Sequence, residues 1–283
     1  MKKILLIGSQ GLLGRTLQRR LGERAVGIDR DRYDITDAEQ IEAMLAWARP
    51  SVLINCAAYT AVDRAESEPE AARRLNADAV ELLGQAAARH DAHLIAISTD
   101  YVFNGQGSDP FAEDAPESAF GPESVYGRTK LEGERRLRAL GGSWCIARTQ
   151  WLYGAGGKNF VDTIAGLAAQ RPTLRVVDDQ VGAPTWTEDL AGALITLADA
   201  RAEGVYHTVN SGYVSWCEVA RRVVARLELP CEIVPCRSEE FPTPARRPQN
   251  SRLAQSKFAA LNGGPLRPWT EALDEYLAPR ADP

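Results

Sequence analysis

Tyr126 and Lys130 are two residues with complementary chemistry, and they stand four positions apart in the sequence. On a helix this spacing places both side chains on the same face. An ammonium group beside a phenol favours the phenolate and lowers the tyrosine pKa from its usual value of about 10. We therefore expect Tyr126 to exchange a proton near neutral pH. Thr99 ends an apolar stretch, and we expect its hydroxyl to lie beside the same pocket.

A glycine-rich turn near the N-terminus predicts a site for a dinucleotide. Residues 2–8 form an apolar stretch typical of a strand, and Gly8, Gly11 and Gly14 follow at three-residue spacing before a helical pattern. Glycines in such a turn let the backbone approach a pyrophosphate, and the N-terminus of the next helix holds the phosphate charge. We expect Leu12 and Leu13, which open that helix, to line the same cofactor site.

The second predicted strand ends in two residues that favour different cofactors. Asp29 is placed to accept from the ribose hydroxyls of NADH, whereas Arg30 could pair with the 2′-phosphate of NADPH. The sequence therefore leaves NADPH or NADH open. Asp34 and Ile35 follow in a loop that could flank the adenine, although Asp34 fits equally well as an acid near the start of the next helix.

Small residues follow the third predicted strand. Ala57 and Ala58 would let a flat cofactor approach the backbone, although simple close packing is a second explanation. Tyr59 and Thr60 continue into a loop on the same side. We expect all four to contribute to the cofactor site.

The fourth predicted strand ends at Ser98, Thr99 and Asp100. Ligands of open α/β sheets bind at the carboxyl ends of the strands, so these residues stand where chemistry is expected. The irregular segment 104–122 follows and is in the right place to form the lip of a substrate pocket.

The alternation of strands and helices predicts an α/β protein with a Rossmann-type, doubly wound parallel sheet. We expect residues 1–150 to form the NAD(P)-binding domain. Residues 151–283 would form mainly a smaller substrate-binding lobe, partly interleaved with the first domain.

A proline-rich segment near the C-terminus carries three arginines, of which Arg247 is one. Forked guanidinium donors can bind a diphosphate. A solvated basic loop is the other explanation.

Composition excludes several functional classes. The chain has 283 residues and a net charge of −5, which gives no reason to expect nucleic-acid binding. No apolar stretch approaches the roughly 18 residues of a membrane span, and the N-terminus resembles a strand more than a signal peptide. Five cysteines do not suggest a disulfide framework, and the three histidines lack the spacing of metal ligands. We expect a cytoplasmic protein with no resident metal.

These features together describe the reduction of a ketone. A nicotinamide cofactor would supply the hydride. Tyr126 would give a proton to the developing alkoxide, Lys130 would stabilise the phenolate and hold the cofactor, and Thr99 would donate to the oxyanion.

The chain resembles the extended short-chain dehydrogenase/reductases, and within them the group of dTDP-4-dehydrorhamnose reductases. The resemblance covers nearly the whole sequence. It rests on the motifs at residues 8–14, 57–66, 98–103, 126–130, 148–151, 179–185 and 247–253.

This resemblance implies the last step of dTDP-rhamnose biosynthesis, in which dTDP-4-dehydro-6-deoxy-L-mannose is reduced to dTDP-L-rhamnose. Tyr126 would be the acid, and Asp100 and Trp151 would contact the dTDP-sugar substrate together with Thr99. The implied cofactor residues are Gly11, Leu12, Leu13, Asp29, Asp34, Ile35, Ala58, Tyr59, Thr60 and Lys130.

One departure from the family pattern concerns a metal. Dimeric relatives place a glutamate early in the first helix to share magnesium across the dimer, but Thr16 stands at that position here. Glu188 and Asp189 are the acids left for that role. We expect no magnesium and leave a homodimer open. Two other functions also stay open: a regulatory subunit resembling the beta subunit of methionine adenosyltransferase, and a related nucleotide-sugar epimerase or 4-ketoreductase.

Overall fold

The computed structural model describes residues 3–278. Lys2 of the predicted first strand and residues 279–283 of the predicted second lobe lie outside this range. The strands are β1 (Ile4–Ile7), β2 (Ala25–Ile28), β3 (Val52–Asn55), β4 (His93–Thr99), β5 (Trp144–Thr149), β6 (Leu152–Tyr153), β7 (Thr173–Val177), β8 (Val181–Gly182), β9 (Thr185–Trp186), β10 (Gly204–His207), β11 (Asn210–Ser211), β12 (Val214–Ser215), β13 (Glu232–Cys236) and β14 (Leu266–Pro268). The helices are α1 (Leu12–Leu21), α2 (Ala38–Ala48), α3 (Val62–Ala65), α4 (Pro69–Arg73), α5 (Ala79–Arg89), α6 (Val125–Ala139), α7 (Phe160–Ala168), α8 (Thr187–Ala200), α9 (Trp216–Arg226), α10 (Ser256–Asn262) and α11 (Trp269–Tyr276).

The central sheet has six parallel strands in the order β10-β5-β4-β3-β1-β2. Chain progression reverses between β1 and β3, where Ile7 stands opposite Asn55. Such a switch point opens a crevice beyond the carboxyl ends of the strands. The predicted Rossmann-type, doubly wound parallel sheet is therefore confirmed.

Helices cover both faces of this sheet, which explains why its strands are almost continuously apolar. On one face Leu6, Ile54 and Ile95 pack against α1 and α8. On the other face Leu5 and Leu53 pack against α2 and α5. Both α8 and β10 come from beyond residue 150. The second half of the chain therefore contributes one strand to the central sheet and one helix to the layer that covers it.

A second apolar cluster forms the core of the C-terminal lobe, between the β7–β13 pair and helices α7, α9 and α11. The division into residues 1–150 and 151–283 stays a prediction. A π-helical turn, Arg74–Asp78, separates α4 from α5. Within residues 3–278, no helix combines the length and the apolarity needed to cross a membrane.

Candidate active site

Helix α6 holds Tyr126 in its first turn, and the local sequence determines where that turn begins. The Ser124 side chain accepts from the Gly127 N–H at 3.1 Å and caps the helix. The Glu66 carboxylate accepts from the Val125 N–H at 2.7 Å. An acid at a helix N-terminus also interacts favourably with the helix dipole. The position of Tyr126 is therefore fixed by hydrogen bonds to the backbone on both sides of it.

Two glycines bring α6 unusually close to its neighbours. A Cβ on Gly127 would lie 2.3 Å from the Tyr101 carbonyl oxygen, and one on Gly133 would lie 2.1 Å from the Asn76 carbonyl oxygen. Neither position has room for a side chain. The helix therefore packs directly against the backbone that follows β4, at Tyr101, and against the π-helical turn, at Asn76.

Thr99 ends β4 beside Tyr126. Its Oγ1 donates to Asp100 Oδ1 at 3.0 Å and accepts from the Tyr101 N–H at 3.2 Å. The Thr99 hydroxyl lies within reach of the Tyr126 phenol and lowers the pKa of that group.

The pKa of Tyr126 moves opposite to the expectation from its sequence spacing. Burial raises it to about 12, the Thr99 hydrogen bond opposes this shift, and the nearby Asp100 charge adds to it. Lys130 is not among the groups that shift it, since the Lys130 Nζ donates to the Ile97 carbonyl at 2.6 Å. The expectation that Lys130 lowers this pKa is therefore wrong for this structure, and Tyr126 keeps its proton at neutral pH.

Lys130 and Asp100 are both buried ionisable groups. Burial lowers the pKa of Lys130 to about 8, with Glu134 acting in the opposite direction. Burial raises the pKa of Asp100 to about 6, against hydrogen bonds from Ser251 and Thr99. Ser251 Oγ donates to Asp100 Oδ2 at 2.5 Å. It anchors the C-terminal segment to the end of β4.

A buried polar network lies behind Lys130. The Glu134 carboxylate accepts from Ser98 Oγ at 2.5 Å and from Arg148 Nε and Nη2 at 2.9 and 2.6 Å. Arg148 Nη1 also donates to His207 Nε2 at 3.3 Å, while His207 Nδ1 donates to the Ala254 carbonyl. Burial and the Arg148 charge lower the pKa of His207 to about 3, so the ring is neutral. Ser98 directs its hydroxyl to Glu134, and its contact with the cofactor stays a prediction.

The glycine-rich turn fits a dinucleotide. A Cβ on Gly14 would lie 2.1 Å from the Gly8 carbonyl oxygen, and Gly8 itself has a φ of +77°. The turn therefore leaves the backbone bare at the start of α1, as a pyrophosphate requires. Asp29 accepts from the Gln10 N–H at 3.1 Å and from the Arg30 N–H at 2.9 Å, which holds its carboxylate beside this turn.

The segment after β3 borders the same crevice. Ala57 donates its N–H to Asn55 Oδ1 at 3.1 Å, and Tyr59 donates its N–H to Asn76 Oδ1 at 2.9 Å. Asn76 Nδ2 in turn donates to the Tyr59 carbonyl and to Thr129 on α6. The loop that carries Ala57, Ala58, Tyr59 and Thr60 is thus tied to the helix that carries Tyr126 and Lys130.

Asp34 and Ile35 have local structural partners. The Asp34 carboxylate accepts from the N–H and hydroxyl of Thr36, both at 2.8 Å, which makes a turn before α2. Ile35 is buried in the layer formed by α2 and α5. Their assignment to the cofactor site stays a prediction.

Trp151 and Arg247 are the remaining residues that we predict to contact the substrate. Trp151 has a φ of +50°, which is strained for a bulky residue, and its ring stacks on Trp216 at 3.7 Å between centroids. Arg247 donates from Nη1 to Asp63 Oδ1 at 3.0 Å and from Nη2 to Asp63 Oδ2 at 2.7 Å. The arginine predicted to bind a diphosphate therefore has a carboxylate partner in this structure.

Comparison with known proteins gives the family. The model of the RmlD substrate binding domain matches residues 1–281. The chain belongs to this family. The resemblance stated from the sequence motifs is confirmed.

Individual members are similar over almost their full length. The dTDP-4-dehydrorhamnose reductase of Streptomyces griseus is 43% identical over 281 residues, covering 96% of this chain and 91% of the relative. A probable dTDP-4,6-dihydroxy-2-methyloxan-3-one 4-ketoreductase of Streptomyces antibioticus is 40% identical and covers 96% and 93%. The crystal structure of dTDP-4-dehydrorhamnose reductase from Bacillus anthracis in complex with NADP has a TM-score of 0.92 and 34% identity, covering 97% and 98%.

In this member of the RmlD family, Thr16 and the two acids considered for a magnesium site, Glu188 and Asp189, have other partners. Thr16 hydrogen-bonds to Thr187 at 3.1 Å. Glu188 pairs with Arg19, and Asp189 pairs with Arg267 at 3.0 Å. Among the described residues there is no group of three or more histidine, cysteine or acidic side chains arranged to hold a metal.

Several residues of this family member were not assigned a role from the sequence. Asn76, Glu134 and Ser251 each connect parts of the site that are far apart in the chain. Glu134 had a recognisable signal, since it follows Lys130 by one helical turn and extends the same face. Asn76 gave no signal, and Ser251 stood in the motif 247–253 without an assigned role, because the partners of both residues are set only by the tertiary fold.

Proposed function

We propose that the protein reduces the 4-keto group of dTDP-4-dehydro-6-deoxy-L-mannose to give dTDP-L-rhamnose, with NADPH or NADH as the reductant. The names of the relatives in Streptomyces griseus and Bacillus anthracis support this activity. The observation that supports it in this chain is the buried Tyr126 phenol beside Thr99, at the carboxyl end of β4. A protonated phenol at this edge of a dinucleotide-binding sheet fits the role of a proton donor.

When bound, the nicotinamide dinucleotide supplies the hydride. Reduction leaves an alkoxide that needs a proton, and Tyr126 carries one at neutral pH because burial keeps its pKa high. Thr99 orients the phenol and is itself oriented by Asp100. Lys130, one helical turn away, donates to the Ile97 carbonyl, so we assign it to holding the cofactor and not to the phenolate.

The cofactor would lie along the residues that border the crevice, with Asp29 at the adenosine ribose. We keep as its proposed contacts Gly8, Gly11, Leu12, Leu13, Gly14, Asp29, Arg30, Asp34, Ile35, Ala57, Ala58, Tyr59, Thr60, Ser98 and Lys130.

The dTDP-sugar would contact Thr99, Asp100, Tyr126 and Trp151. Its diphosphate would compete with Asp63 for Arg247, because this guanidinium already forms two hydrogen bonds to that carboxylate. The net charge of −5 and five free thiols support a cytoplasmic enzyme that does not bind nucleic acid. A homodimer stays a prediction.

The test is an assay of NADPH and NADH oxidation with dTDP-4-dehydro-6-deoxy-L-mannose. Tyr126→Phe should lower kcat by about 10²–10⁴-fold, which is the usual effect of removing a positioned acid. Tyr206→Phe is the matched control, since Tyr206 lies in β10 within the core cluster. An unchanged kcat in Tyr126→Phe would refute the assignment.

A second candidate is the reduction of a related 4-keto-6-deoxy sugar. It is favoured by the Streptomyces antibioticus relative, whose name describes a 4-ketoreductase of another dTDP-linked sugar. The same assay with both sugars distinguishes the two by their kcat/KM values.

A further inference from the structure

Gln150 is a buried polar residue at the edge of the site. The residue is 3% exposed. Neither its amide nitrogen nor its amide oxygen has a hydrogen-bond partner among residues 3–278. A buried amide is costly unless it is hydrogen-bonded, so both of its polar atoms call for an explanation.

Gln150 lies at the carboxyl edge of the central sheet. It directly follows Thr149, the last residue of β5, and Thr149 stands opposite Thr99 in the register of the central sheet. The carboxyl ends of these neighbouring strands form one edge, where ligands of this fold bind. Trp151, the next residue, has the strained backbone described above.

The Gln150 side chain packs against Gly182. A Cβ on Gly182 would lie 2.4 Å from the Gln150 Oε1 and 2.9 Å from the Trp151 ring. The absence of a side chain at Gly182 therefore makes room for both the amide and the indole. Another residue at this position would push them apart.

Hydrogen bonds link the strand that contains Gly182 to Asp100. The neighbouring Val181 accepts from the Ser251 N–H at 2.8 Å, and Ser251 Oγ donates to Asp100. Gln150 and Asp100 therefore border the same hydrogen-bonded segments, at the ends of adjacent strands. An amide here has one acceptor and two donors, a set that suits a sugar hydroxyl, which both donates and accepts.

We propose that Gln150 determines specificity by hydrogen-bonding a ring hydroxyl of the sugar substrate through its side-chain amide. The proposal rests on the proposed function and deepens it. A site built to bind a hydroxyl rejects analogues that lack it, because its own polar atoms then stay unpaired.

The test compares the 4-keto sugar with its analogues that lack the hydroxyl at C2 or at C3. The wild-type protein should prefer the full substrate in kcat/KM over one of these analogues. Gln150→Met keeps the length of the side chain but removes the amide. It should lower kcat/KM for the full substrate by about 10- to 100-fold and leave the value for that analogue nearly unchanged.

Gln255→Met is the matched control, because Gln255 also has a buried amide oxygen without a partner among the described residues. It should leave the preference intact. If Gln150→Met does not fold, Gln150→Asn provides the same test, since it retracts the amide by one carbon.

Equal loss for both sugars, or no loss for either, would overturn the proposal. A wild-type protein that reduces neither sugar would instead contradict the proposed function. A purely structural role would lower the thermal stability of Gln150→Met without changing the preference.

Discussion

Removing Arg148 should strongly destabilise the fold, because it leaves the Glu134 carboxylate buried without its charged partner. The two side chains are 1% and 3% exposed, so solvent does not screen the pair. Breaking a buried ion pair by removing one partner costs about 3–5 kcal/mol. At about 2–4 °C per kcal/mol for a domain of this size class, Arg148→Met should lower Tm by roughly 6–20 °C.

A double-mutant cycle separates this effect from lost packing. Arg148→Met/Glu134→Leu removes both charges and should regain part of the stability that Arg148→Met loses, since a buried pair can be replaced by apolar residues at little cost. The free energy of unfolding is measured by denaturant titration. Arg89→Met serves as the control, because Arg89 and its partner Glu42 are 55% and 39% exposed and such a pair contributes about 0–1 kcal/mol.

Two results would refute this reasoning. One is an Arg148→Met protein that is as stable as the Arg89→Met control. The other is a double variant whose loss equals the sum of the two single losses, which would show that the charges do not interact.

Three further predictions concern pH and binding. His207 has a folded-state pKa of about 3, below its usual 6.5, so its contribution to stability is complete above pH 6.5 and is lost as the pH falls towards 3. The free energy of unfolding should therefore fall less steeply with decreasing pH in His207→Gln than in the wild-type protein. An equal slope in the two proteins would contradict this. Asp29→Ala should raise KM for NADH about tenfold and lower KM for NADPH, because we propose that this carboxylate binds the ribose hydroxyls and repels a 2′-phosphate. An unchanged ratio of the two KM values would count against this role. Arg247→Met should raise KM for the dTDP-sugar by about 10-fold or more with little change in kcat, and an unchanged KM would assign Arg247 only to its contact with Asp63.

The sequence predicted the parts of the site that depend on local motifs. The glycine turn, the end of β4 and the first turn of α6 were located from their spacing, and Thr99 and Tyr126 do meet. The parallel sheet followed from alternating strands and helices. These features could be predicted because each arises within a short stretch of chain.

The electrostatics of the site could not be predicted in the same way. The four-residue spacing of Tyr126 and Lys130 suggested a lowered tyrosine pKa, but the fold buries the phenol and turns the ammonium towards Ile97. The contact of Ser251 with Asp100 joins residues 151 positions apart. Burial and such distant contacts are set by tertiary packing, which spacing along the chain does not reveal.

We expect the bound cofactor to transfer a hydride to C4 of the sugar while Tyr126 protonates the oxygen on that carbon. The most direct measurement uses NADPH carrying deuterium at the transferable position, with dTDP-4-dehydro-6-deoxy-L-mannose as substrate. We expect dTDP-L-rhamnose with deuterium at C4 from the wild-type protein, and product formation about 10²–10⁴-fold slower from Tyr126→Phe. Product without deuterium at C4, or equal rates from the two proteins, would contradict the account.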